Sequence, residues 1–191
     1  LDEFVREGKV RAIGLSNDNP YGVMKSLWTS ELEGLTRIDT VQNNFLLNNR
    51  RDEDELAECL RREKVSLLPY SPLAGGVLTG KYNDGAPEGA RFTDYIDNGG
   101  LRQKAMAGRF VNEKAIASTR RFMEIAEEIG IDVTTLAIAW SKQHDYVAAT
   151  IVGVSKVEQL KPIVKAAGLV LDESTMKQLD QVSKDHLYPM G

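Results

Sequence analysis

A single cysteine, Cys59, and two histidines, His144 and His186, stand in 191 residues. One thiol excludes an internal disulfide and fits a reducing compartment, so a cytoplasmic protein is expected. One Cys and two distant His also cannot supply the several ligands of a zinc centre, and no metal site is expected. Basic residues never gather beyond the pairs Arg50-Arg51, Arg61-Arg62 and Arg120-Arg121, and the formal net charge is −4, so no nucleic-acid surface is indicated. No apolar run approaches the ~18 residues of a membrane span, and the beginning of the chain is not signal-like. No GxGxxG opens a helix after a strand, which excludes the dinucleotide fingerprint of a doubly wound sheet. An initiator Met is missing too: the chain begins at Leu1, and an upstream portion is expected.

What remains is an ordinary globular composition, 42% apolar and 27% charged, with length for one sizeable core. Strands and helices alternate along it. Residues 10–16, VRAIGLS, read as a strand, and residues 21–34 show helical spacing through Val23, Leu27 and Leu32. A second strand over 38–46 and a second helix over 54–64 follow, then a third strand over 66–71. The strand starts, Val10, Ile38 and Ser66, are 28 residues apart each time, the step of a strand-plus-helix unit. A parallel α/β sheet follows. Residues 72–112, rich in Gly, Asp, Asn and Pro, then interrupt the rhythm as a long loop suited to cover a site. Helices are predicted over 113–129, 134–144, 157–167 and 172–184, and a fourth strand over 148–154. Trp140 falls on an apolar stripe and is assigned to the core. Trp28 is expected to pack helix against sheet, His144 and His186 to lie at the surface, and the Glu124, Glu127, Glu128 face to be solvated.

The most informative segment is residues 66–82, SLLPYSPLAGGVLTGKY. An apolar run ends in an aromatic and a hydroxyl, then breaks into a turn with Gly75, Gly76 and Gly80 before Lys81 adds a cation. Small residues admit close approach to backbone N–H groups, a Lys favours phosphate, and an aromatic at a strand end offers a stacking surface. That combination describes a dinucleotide platform at a barrel mouth. An ordinary glycine-bearing loop accounts for the same residues taken by themselves.

GKVRAIGLSN, VQNNFLLNNR, PYSPLAGGVLTGKY, GAPEGARF, TTLAIAW, TIVGVSKVEQL and the final LYP, in this order and over nearly the whole chain, resemble aldo-keto reductases, their Tas-type bacterial members above all. The resemblance implies a (β/α)8 barrel using NADP(H), of which this chain is the C-terminal half, strands five to eight, as one partial domain over 1–191. It assigns Ser16, Asn17 and Gln42 to the nicotinamide carboxamide, for which an amide offers a donor and an acceptor together. Tyr70 is implied to stack on the nicotinamide. Ser71, Pro72, Leu73, Ala74 and Gly75 are implied to pass along the pyrophosphate, with Lys81 and Arg91 as its cations. Gly153, Ser155 and Gln159 fall at the adenosine end, with Lys156 placed to select the 2′-phosphate.

Two departures stand out. The family often carries an acid and an Asn just after the Gln159 position to hold the adenine amine; here Pro162 and Ile163 stand there. The family's catalytic Asp, Tyr, Lys and His belong to loops after strands two to four, so no catalytic residue is expected among these 191, and none of the six tyrosines sits in the right context. The expected activity is therefore that of a complete barrel, NADPH-dependent reduction of aldehydes or ketones, with this segment holding the cofactor. A non-catalytic cofactor-binding or scaffold subunit is the alternative. Two open sheet edges, at 10–15 and 148–154, are expected to need an upstream half-barrel, a partner subunit or a second copy.

Overall fold

In the computed structural model, which describes residues 1–190, a parallel sheet carries the chain's architecture. Its strands are β1 (Gly14–Ser16), β2 (Thr40–Gln42) and β3 (Ser66–Leu67), in spatial order β1-β2-β3. Gly14 pairs with Thr40 and Ser16 with Gln42, while Thr40 pairs in turn with Ser66. A short helix α1 (Asp2–Arg6) precedes the sheet, and α2 (Pro20–Glu33) and α3 (Leu56–Glu63) are the crossovers that parallel pairing requires. Asn19 starts α2 by accepting from the Gly22 N–H at 3.0 Å, Pro20 occupies the first turn, and Gly34 ends it in the left-handed conformation.

The predicted fourth strand is corrected. The segment 147–151 lies beside β3 and parallel to it, yet it forms only isolated bridges, Leu67 with Val147 and Tyr70 with Ile151. Its ladder is intermittent, carried by Leu67 N–H to Tyr146 O, Ala148 N–H to Leu67 O and Ile151 N–H to Pro69 O. All of residues 151–160 are exposed. Gly153, inside the predicted strand, adds no side chain to pack and weakens it, and regular pairing does not continue past Ile151.

Residues 72–112 are also more structured than a loop. They hold a 3₁₀ turn (Ala74–Thr79) and two helices, α4 (Arg91–Asp97) and α5 (Leu101–Phe110). Val77, Leu78, Tyr82, Phe92 and Ala107 are buried there, Phe92 stacks on Phe110 at 5.0 Å, and the Phe92 N–H donates to the Tyr82 hydroxyl. The abundant Gly, Asp and Pro mark turns between these pieces, while the aromatics give the segment its own core.

α6 (Glu113–Glu128) and α7 (Val133–Lys142) follow, capped by Asn112 and Asp132, and α7 is buried on nearly every side. α8 (Leu160–Lys165) and α9 (Glu173–Asp185) close the chain. The core joins Val41, Phe45, Leu67, Phe122, Leu136 and Trp140. Trp28, by contrast, is 63% exposed and Leu32 is exposed as well. The helix period explains the correction: Val23 and Leu27 face inward, and Trp28, one residue on, is turned about 100° away from them.

His144 is a further correction, since it is half-buried. Its ring sits against Trp140, Phe45 and Tyr146 at centroid distances of 4.7, 5.2 and 5.3 Å. Burial, reinforced by Arg50 and Arg61, lowers its pKa to about 4.

Candidate functional site

Parallel strands point their carboxyl ends the same way, so the residues that leave them meet on one side of the sheet. Ser16 ends β1 opposite Gln42, which ends β2. Asn17 follows with φ of 53°, a left-handed conformation that Asn tolerates better than most side chains, and its N–H still donates to Gln42 O at 2.9 Å. Tyr70 follows β3 and donates its N–H to Asn43 O at 2.9 Å. Its phenol donates to Asn17 Oδ1 at 2.7 Å, and Asn17 Nδ2 donates to Ser16 Oγ at 3.2 Å. Ser16, Asn17 and Tyr70 are thus one hydrogen-bonded string, with Gln42 beside it on the central strand.

The turn after Tyr70 is a succession of left-handed residues: Ser71 (φ 54°), Ala74 (51°), Gly75 (62°) and Gly76 (101°). Left-handed non-glycine residues are held only where packing over-determines them, and here Pro72 and Ala74 are buried while Ala74 N–H donates to Ser71 O at 2.8 Å. A Cβ on Gly75 would fall 2.6 Å from the Phe92 ring, and one on Gly76 2.6 Å from Lys81 Cε. The two glycines therefore let α4 and the Lys81 side chain lie flat on the turn. Partial burial, with Arg91 nearby, holds the Lys81 ammonium below the usual lysine range. Among the described residues neither Lys81 nor Arg91 has an acidic partner within ion-pair distance.

Gly153, Ser155, Lys156 and Gln159 lie on the exposed segment beyond Ile151. Gln159 Oε1 accepts from the Ser155 N–H at 2.9 Å and the Lys156 N–H at 3.2 Å, so its acceptor closes its own turn. Pro162 and Ile163 face inward: Thr135 Oγ1 donates to Pro162 O and Ile163 is buried. Ser16, Asn17, Gln42 and Tyr70 therefore lie together at the strand ends. Ile151, two residues before Gly153, bridges to Tyr70.

Sequence reasoning passed over Asn43, Asn44 and Asp52. Asn43 is buried and grips the Asp18 backbone, Asn44 Nδ2 donates to Tyr70 O at 3.3 Å, and burial raises the Asp52 carboxyl to about 6. Two consecutive Asn directly after an apolar strand were the available signal. Nothing in that dipeptide says which amide turns inward.

No group of three metal-ligating side chains occurs among the described residues, and no helix there is long and apolar enough to cross a membrane.

A short parallel sheet with helical crossovers and a polar string at its carboxyl edge defines an α/β protein with a ligand-type strand-end face. The profile of the Aldo/keto reductase family matches residues 1–184, and the chain belongs to that family. Protein tas of Escherichia coli is 36% identical over 190 residues, 99% of this chain and 52% of its own length. L-glyceraldehyde 3-phosphate reductase of E. coli is 27% identical over 182 residues, covering 95% of this chain and 51% of that protein. Among solved structures, a glycerol dehydrogenase of Gluconobacter oxydans superposes with a TM-score of 0.76 at 24% identity, over 98% of this chain and 53% of that one, a likeness of fold. The chain spans about half the length of the curated relatives it matches.

Proposed function

We propose that this chain is the cofactor-holding, C-terminal half of a (β/α)8 oxidoreductase that reduces aldehydes or ketones with NADPH. The observation that carries the proposal is the string Ser16–Asn17–Tyr70 beside Gln42 at the carboxyl ends of three parallel strands. Asn17 and Gln42 carry the paired donor and acceptor that a ligand carboxamide needs, once the Tyr70 hydroxyl and Ser16 Oγ yield their places. NADPH, when bound, supplies a hydride to the carbonyl carbon.

The chain's own residues position and neutralise. Tyr70 is anchored at both its hydroxyl and its N–H, so its ring is held at the strand end as a stacking surface. Lys81 and Arg91 are two neighbouring cations without acidic partners among the described residues, an arrangement that a pyrophosphate relieves; partial burial, and then Arg91, lowers the Lys81 pKa. Lys156 is an exposed cation suited to the 2′-phosphate, and Gly153, Ser155 and Gln159 form the turn beside it. Residues 72–112 cover the cofactor from above. The acid that protonates the carbonyl oxygen, and the carbonyl substrate's pocket, belong to a complementary half-barrel or partner subunit that also covers the exposed margins of the sheet.

Isothermal titration of the full chain with NADPH and NADH tests the reading. NADPH is expected to bind at least ten-fold more tightly, and Lys156→Glu to weaken NADPH far more than NADH. Equal affinities for the two cofactors, or equal losses, would remove Lys156 from the 2′-phosphate. No binding of either would end the proposal.

A further inference from the structure

Asn17 is the member of the strand-end string whose backbone departs furthest from strand geometry, and a hydrogen-bonded device behind it holds that departure. The β1–β2 ladder ends where Asn17 N–H donates to Gln42 O. One residue further, at Asp18, regular pairing has stopped because the left-handed Asn17 turns the chain. There the Asn43 side chain replaces the missing backbone partner. Its Oδ1 accepts from the Asp18 N–H at 3.1 Å, and its Nδ2 donates to Asp18 O at 2.9 Å. A carboxamide has the same donor and acceptor as a peptide group, so Asn43 extends the ladder by one position with a side chain. The amide is buried, and its Nδ2 also donates to Asp52 Oδ1 at 3.3 Å, which sets the amide's nitrogen toward Asp18 O and its oxygen toward the Asp18 N–H. Asp18 Oδ1 in turn accepts from the Asn19 N–H at 2.9 Å, and Asn19 caps α2. The Asn17 turn is therefore held from behind by Asn43 and from its far end by the start of α2.

We infer that Asn43, oriented by Asp52, is a positioning residue: it fixes the left-handed Asn17 turn so that the Asn17 amide is presented to the nicotinamide carboxamide. This rests on the proposed cofactor reading and adds to it a residue that does not touch the cofactor. Without the Asn43 amide, the Asp18 N–H and C=O lose their partners on the buried side and the turn relaxes toward ordinary negative φ, which carries the Asn17 side chain away from Tyr70 and Ser16.

The test is a titration of the full chain with NADPH and, separately, with adenosine 2′,5′-bisphosphate, which has the adenosine end without the nicotinamide. Asn43→Ala is expected to weaken NADPH about ten-fold and to leave the bisphosphate within two-fold of the parent. Asn43→Ser, whose uncharged hydroxyl can make only part of the Asn43 pairing, is expected to fall between the two, and it carries the test should the alanine variant fail to fold. In a double-mutant cycle, Asn17→Ala combined with Asn43→Ala should bind NADPH no more weakly than Asn17→Ala alone, because Asn43 acts through Asn17. Additive losses, or equal losses for both ligands, would make Asn43 a general structural residue and overturn the inference. A parent chain that binds the bisphosphate but shows no added affinity for NADPH would overturn it as well, and one that binds neither ligand would remove the cofactor reading beneath it.

Discussion

The middle of the sheet and its margins are built on different terms. At the middle, Val41 and Leu67 are fully buried, and behind them Phe45 packs on Trp140 at 4.9 Å with the Arg50 guanidinium over the indole at 5.0 Å. At the margins, β1 alternates exposed and half-buried residues, and Ile151, Val152 and Val154 on the opposite flank are each more than a third exposed. Parallel sheets are ordinarily covered on both faces, so the contrast marks where this chain's stability resides and where it presents surface. The middle is closed by packing. The margins and the carboxyl edge carry the polar groups on which the proposed function depends.

The sharpest way to break this contrast is to truncate one tryptophan on each side of it. Trp140→Ala empties a fully buried indole site and is expected to cost about 3–5 kcal/mol in urea denaturation, whereas Trp28→Ala should stay within about 0.5 kcal/mol. Similar losses for the two would show that the α2 face is packed in solution.

Arg50→Met comes next. Arg50 ties Glu53 at 2.7 Å and Asp180 at 2.7 Å, joining the loop after β2 to α9, and its side chain is only 15% exposed. Removing one member of such a partly buried set leaves carboxylates uncompensated, and a loss of about 3 kcal/mol in denaturant midpoint analysis is expected. A neutral effect would mean that α9 is held by its apolar face alone.

Two half-buried groups titrate with opposite consequences. His144 has its folded pKa lowered to about 4 from 6.5, so the unfolded chain binds more protons between those values, and stability from this group falls as pH drops from about 6.5 to about 4. Asp52 is raised to about 6 from 3.8, so the folded chain binds more protons there, and stability from this group rises as pH drops through about 6 toward 3.8. Each contributes on the order of 3 kcal/mol, and the two largely cancel. Melting curves between pH 7 and pH 4.5 separate them: His144→Phe should lose less stability on acidification than the parent, and Asp52→Asn more. Parallel curves for all three would refute both shifts.

The smallest effect is expected at the exposed string. Tyr70→Phe removes the hydrogen bond to Asn17 at an exposed position and should change thermal stability by no more than about 1 kcal/mol, since water replaces the lost partner. A loss as large as that of Trp140→Ala would place Tyr70 in the core and take it off the proposed stacking surface.

Residue types and their spacing made much of this legible. The strand-plus-helix rhythm read from Val10, Ile38 and Ser66 is met by the parallel pairing of β1, β2 and β3, though Gly14, Thr40 and Ser66, which pair in register, are 26 residues apart rather than 28, and Asn19-Pro20 and Gly34 mark the ends of α2. Trp140 lies in the core as its stripe required. Burial of His144 was hidden because its neighbours in sequence, Gln143 and Asp145, are polar, while those in space are Phe45 and Trp140. The fourth strand shows the same limit: AATIVGV has strand composition, but it meets β3 only at isolated bridges, and how long two segments stay in register is not a property of seven residues.

Local chemistry, then, was determined by the sequence itself: which runs are apolar, where helices start and stop, and that Ser, Asn, Gln and Tyr stand where strands end. Those properties depend on bonds within a few residues. Tertiary structure alone decided that the Tyr70 phenol reaches Asn17 across 53 positions and that the Asn43 amide turns inward to grip Asp18, 25 positions away. It also alone turned His144 inward. These outcomes depend on which elements lie side by side, and hydrogen bonds a few ångströms long between distant residues are set only when the sheet and its crossovers are in place.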